Sequence, residues 1–106
     1  MKATIEMTPN GYGFGYDWTL VLPPTKKRGV QRFFMGQDAK VCARLLGMTP
    51  KEVCAEVVAR ANMPERVVYP YEGKAAQALA SLIIEAFGGI RQVRKAAAWE
   101  LHAGGG

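Results

Sequence analysis

Histidine and serine are nearly absent from this chain, which has one of each, His102 and Ser81. Nucleophilic catalysis needs a serine, cysteine or threonine held beside a base. Ser81 falls inside an apolar helical pattern and His102 stands near the C-terminal end, a poor combination for that chemistry. The two cysteines, Cys42 and Cys54, are twelve positions apart with no CxxC pair and no histidine near them. That spacing argues against a zinc site, and no metal is expected. Both cysteines lie on apolar faces of predicted helices, where a free thiol behaves as a small buried hydrophobe. Long hydrophobic runs are missing too. The longest uncharged apolar stretch, Ala75 to Ile84, is interrupted by Gln77 and Ser81 and is too short to span a bilayer. The first residues, Met1 to Glu6, contain no apolar run of signal-peptide length, so a cytoplasmic protein without a membrane partner is expected.

Acidic residues are scarce relative to basic ones: nine Asp and Glu against 14 Lys and Arg leave a formal net charge of +5. Residues 25 to 60 hold eight basic and three acidic side chains, which accounts for the whole excess. A local basic excess is the electrostatic footprint of a nucleic-acid surface or of an acidic protein partner. The carboxylates are scattered through basic or apolar segments, so a paired acid/base site would need tertiary proximity that the sequence does not display. The expectation is a protein that is not an enzyme and uses no cofactor.

At 106 residues the chain has the length of one domain, and it should bury roughly two-thirds of its unfolded surface in a single core. The domain is expected over residues 1–103, with Gly104 to Gly106 as a flexible tail. Asn10-Gly11 is a favoured type I′ turn pair between two alternating runs. A two-residue loop there pairs Met7 with Phe14, Ile5 with Tyr16 and Ala3 with Trp18, all on one face, while a three-residue loop mixes the faces. Pro9 costs one ladder hydrogen bond in this register. Pro23 to Gly29 reads as an exposed basic loop, and Val30 to Met35 returns as a third strand.

Gly36 breaks that strand, Asp38 is placed to cap a helix through about Leu46, and Gly47 suits the left-handed C-terminal position. Thr49-Pro50-Lys51-Glu52 combines an N-cap threonine, a proline at the first helical position and the glutamate of a capping box. That second helix should run to about Asn62. Arg66 to Tyr69 suggests a short extended piece. From Lys74 to Phe87 apolar residues recur at helical spacing until Gly88-Gly89 ends the pattern. Residues 90 to 102 are ambiguous: Trp99 and Leu101 alternate with Glu100 and His102, whereas Arg94 to Ala98 favours helix. A strand closing the sheet is the expectation. The fold class is therefore α+β, a small antiparallel sheet built from an N-terminal hairpin and meander with about three helices packed on one face.

Gly11-Tyr12-Gly13-Phe14-Gly15 is not a phosphate loop, because a strand follows it and Tyr16 stands where a GxGxxG pattern needs glycine. The same stretch aligns Tyr12, Phe14, Tyr16 and Trp18 on one strand face. Core packing is the simpler reading, although Tyr12 and Tyr16 could stack unpaired bases. Ala43, Gly47 and Val53 stand at the relative spacing of helix-turn-helix DNA-binding motifs, and Cys42, Leu46 and Met48 fill positions those motifs keep apolar. Residues 38–62 thus resemble that motif over about twenty residues, which implies duplex-DNA contact by the second helix through Lys51 and Arg60. Glu56 departs from the pattern, and Glu52 and Glu56 would face phosphates unfavourably.

Lys26, Lys27, Arg28 and Arg32 could form one phosphate-contacting surface with Arg91, Arg94 and Lys95 if the third strand and the C-terminal segment are neighbours. The function expected is a small non-enzymatic binding protein that occupies a surface of a larger partner, a protein first and nucleic acid second. Phage-type inhibitors such as anti-CRISPR proteins work in this manner, but the chain shares no motif with one. A helix-turn-helix regulator is the alternative.

Overall fold

A computed structural model of the chain describes residues 2–11, 15–37, 41–64 and 70–96. Three strands, β1 (Thr4–Pro9), β2 (Tyr16–Leu22) and β3 (Gln31–Gln37), form an antiparallel meander in the order β1-β2-β3. A single π-helical turn, α1 (Cys42–Leu46), precedes α2 (Pro50–Ala61) and α3 (Gly73–Phe87). Residues 90–96 form a further helix, α4. The fold is α+β with a small open sheet. Among the described residues no helix is long and apolar enough to cross a membrane.

The hairpin register differs from the expected one. Met7 faces Trp18, Ile5 faces Leu20 and Pro9 faces Tyr16, so the connection runs from Asn10 to Gly15 instead of turning at Asn10-Gly11. Proline explains the shift. The Asn10 amide donates to the Gly15 carbonyl at 3.2 Å, which makes that pair hydrogen-bonded and leaves the neighbouring Pro9–Tyr16 pair non-hydrogen-bonded. The expected two-residue turn would have required an amide proton of Pro9, and the observed register requires none. The slip is even-numbered, so the faces are unchanged: Ile5, Met7, Trp18, Leu20 and Leu22 still point to the core.

β3 carries a bulge. Trp18 pairs with Gly36 and Thr19 with Phe34, so Met35 has no partner of its own across the sheet. Gly36 takes a φ of +116°, and a β-carbon there would lie 3.3 Å from Arg44 Nη2 and 3.4 Å from Val41 Cγ2. Arg44 Nη2 also donates to the Met35 carbonyl at 3.1 Å. The bulge is thus the seat on which α1 and its flanking residues dock.

The capping box of α2 forms as its sequence predicts: the Glu52 amide donates to Thr49 Oγ1 at 3.2 Å and the Thr49 amide donates to Glu52 Oε1 at 3.3 Å. Such a cap contributes about 0.5–2 kcal/mol. Asn62 closes this helix and Gly88 closes α3, both in the left-handed conformation. α3 is the spine of the core. Ala75, Ala76, Ala78, Leu79, Ala80, Leu82 and Ile83 are all buried on it, and it packs on β1, α1 and α2. Four of those seven are alanines, which lets neighbouring elements approach closely. Tyr71, just before α3, meets Trp18 edge-on, with ring centroids 6.2 Å apart and planes at 84°.

Residues 90–96 are helical, not the strand expected there. Gly89, with a φ of +118°, turns the chain after α3, and its carbonyl accepts from the amides of Gln92 and Val93 to start the new helix. Ile90, Val93 and Ala96 recur at helical spacing, and Val93 is buried. The Trp99 to His102 alternation, the cap at Asp38 and the extended piece at 66–69 lie outside the described residues.

Candidate functional site: a basic cleft beside an aromatic groove

Pro23 and Pro24 end the pairing after β2, and a tight turn follows. The Thr25 amide donates to the Arg28 carbonyl at 2.8 Å, while Thr25 Oγ1 accepts from the amides of Lys27 and Arg28 at 3.3 and 3.1 Å. The threonine hydroxyl supplies the acceptor that such a turn needs. Three consecutive cations, Lys26, Lys27 and Arg28, are thereby held on a short, closed loop.

α4 stands opposite. Because Val93 faces the core, Arg91, Arg94 and Lys95 are carried on its other sides. Arg94 Nε donates to Gln31 Oε1 on β3 at 2.9 Å, which orients one guanidinium at the boundary of sheet and helix. Together Thr25, Lys26, Lys27, Arg28, Arg91, Arg94 and Lys95 line one open cleft. Among the described residues no carboxylate lines it. The sequence reason is that residues 18–37 and 86–99 contain no aspartate or glutamate. Unopposed like charges raise the local positive potential and attract polyanions.

The remaining predicted cations are elsewhere. Arg32 lies on the open face of the sheet, where it reaches across β2 to Glu6 with an Nη2 to Oε1 distance of 3.4 Å. Its β3 position points it away from the helices, because residues 31 and 32 alternate between faces. Arg60 pairs with Glu56, its neighbour one turn earlier, and with Glu85 of α3. Lys51 is exposed on the first turn of α2 and does not line the cleft. The helix-turn-helix resemblance loses its central contact: Val53 is buried, but Ala43, which such motifs pack beneath the second helix, is exposed.

The aromatic strand belongs mainly to the core. Trp18 is 2% exposed and Tyr16 packs partly buried against the same cluster; Tyr12 and Phe14 lie outside the described residues. A different aromatic is presented instead. Phe34 is 62% exposed; opposite Thr19 in the register, it shares the open face of the sheet with Arg32, whereas Phe33, Met35, Gly36, Arg44, Leu45, Phe87, Val93 and Ala96 line a groove of about 500 Å³ along β3. Sequence reasoning passed over Phe34, yet Phe33-Phe34 in a strand carries the signal, since adjacent strand residues point to opposite faces and one ring had to face outward.

Comparison of the chain with known protein families, curated proteins and solved structures gives no match.

Proposed function

We propose that this is a non-enzymatic binding protein that occupies a polyanionic surface of a larger partner, in the first instance the phosphate backbone of a nucleic acid. The observation that carries this reading is the cleft between the 25–28 loop and α4, where six cations converge and none of the described lining residues is a carboxylate. Phosphate contacts by lysine and arginine release condensed counterions, which supplies affinity without sequence recognition. Thr25 and Gln31 fit the same role, because each holds a basic element in place instead of leaving it to sample solvent.

The helix-turn-helix alternative has less support. Ala43 is exposed, Arg60 is committed to two glutamates, and Glu52 is tied into the α2 cap. Electrophoretic mobility shift with the double variant Lys27→Glu/Arg94→Glu separates the two. Loss of binding on this reversal, with Lys51→Glu behaving as wild type, is the expected result. The opposite pattern would transfer the function to α2, and retention by the cleft variant of an acidic protein partner but no nucleic acid would point to a protein-directed role elsewhere on the surface.

A further inference from the structure

We propose that β3 is the seam of a symmetric homodimer, in which two copies of this chain pair antiparallel along residues 30–34 and continue the sheet from one copy into the other. β3 ends the sheet on one side, since the strand order is β1-β2-β3. The alternation of hydrogen-bonded and non-hydrogen-bonded pairs decides which of its backbone groups are already used. The Asn10–Gly15 pair is hydrogen-bonded, so Asp17, Thr19 and Val21 direct their amides and carbonyls to β1, while Leu20 and Leu22 direct theirs to Phe33 and Gln31. Arg32 and Phe34 therefore turn their backbone groups outward, to the edge. Among the described residues α4 approaches β3 from the helix side, through the side chains of Gln31 and Phe33. Arg44, on the Met35 carbonyl, closes only the bulged end of the edge.

The side chains on this edge select a second copy as the occupant. Val30, 41% exposed, and Phe34, 62% exposed, are two of the three large apolar side chains that stand exposed among the described residues. Val30 immediately precedes β3, and the alternation puts it with Arg32 and Phe34 on the open face, one apolar residue at equal distance on either side of the arginine. A two-fold axis at Arg32 thus sets Val30 of each copy against Phe34 of the other, so both exposed apolar side chains are covered by the same operation. A charge on an edge strand ordinarily guards it against such pairing. Here the charge is drawn away: Arg32 Nε and Nη2 lie 3.5 and 3.4 Å from the Glu6 carboxylate on β1, across the sheet from the edge. The centre of the seam is then one ion pair from each copy, not two bare guanidiniums. A seam of this length is small, so association is weak and depends on chain concentration.

Sedimentation velocity of the full chain over a rising concentration series tests this without nucleic acid, so its failure leaves the reading of the cleft untouched. The weight-average mass should climb towards twice the chain mass. Phe34→Lys, a change at an exposed side chain, should hold it at the monomer. Gln77→Lys adds the same charge at an exposed position of α3, which packs on β1 at the other side of the sheet, and should dimerise as wild type. The register has a test of its own. Because position 34 of one copy faces position 30 of the other, mixing Phe34→Lys with Val30→Glu brings the new lysine against the new glutamate and should restore the association that Phe34→Lys alone has lost. Circular dichroism should show each variant folded. A wild-type chain that stays monomeric at millimolar concentration, a dimer that survives Phe34→Lys, or a mixture that fails to recover would overturn the proposal.

Discussion

Tyr71 shows how a single side chain links packing to pH. Its ring closes the core against Trp18, and its backbone amide donates to Met7 Sδ at 3.3 Å. Burial first, then the neighbouring Cys54 and Cys42 thiols, push the phenol up to about 12. The unfolded chain, with an ordinary tyrosine near pH 10, releases the proton more readily than the folded one, so the stability held below pH 10 drains away as pH rises towards 12. Urea midpoints measured across that window should fall, and Tyr71→Phe should flatten the fall relative to its own neutral-pH value. Identical pH profiles for the two proteins would show that other groups govern alkaline unfolding. The sequence located the cysteines on apolar helix faces, and Cys42 is buried while Cys54 is half-buried; it had no means of placing Tyr71 beside them.

Among the elements, α2 and α3 were the most legible. Thr49, Pro50 and Glu52 act within one turn of chain, and the apolar spacing of α3 reports its own buried stripe. The β3 bulge was not legible, because it depends on Trp18 across the sheet and on Val41 and Arg44 above it. Gly36→Ala should therefore destabilise by about 1–3 kcal/mol, through a positive φ that alanine tolerates poorly and a β-carbon crowding Arg44 and Val41. Gly29→Ala, which meets nothing within 4 Å, is the control and should be near neutral. Chemical denaturation decides between them; equal small effects would mean that α1 moves aside without cost. The hairpin gives the converse lesson. Its faces were readable from alternation alone, but its register turned on Pro9, whose missing amide proton excluded the shorter turn.

For the whole molecule, the consequential event is the meeting of the 25–28 loop with α4, more than sixty residues later in the chain. If the cleft binds phosphates, the logarithm of affinity should fall linearly with that of salt, and removing one contact with Arg94→Gln should lower the slope by about 0.7 on single strands. Titrations over a range of salt read this directly. An unchanged slope would place Arg94 outside the phosphate path even if affinity dropped. Lys51→Gln, off the cleft, should leave the slope as it is.

The sequence by itself determined the α+β class, the capping box of α2, the glycine end of α3, the core face of β1 and β2 and the list of cations available for binding. These follow from interactions between residues a few positions apart, or from alternation along one strand, and need no knowledge of the rest of the chain. Tertiary structure alone decided which cations act together. Lys26, Lys27 and Arg28 join Arg91, Arg94 and Lys95 because β3 carries the chain back beneath α4, whereas Arg32 is lost to Glu6 and Arg60 to Glu56 and Glu85. Charge is a property of residues, but a charged surface depends on neighbours distant in sequence.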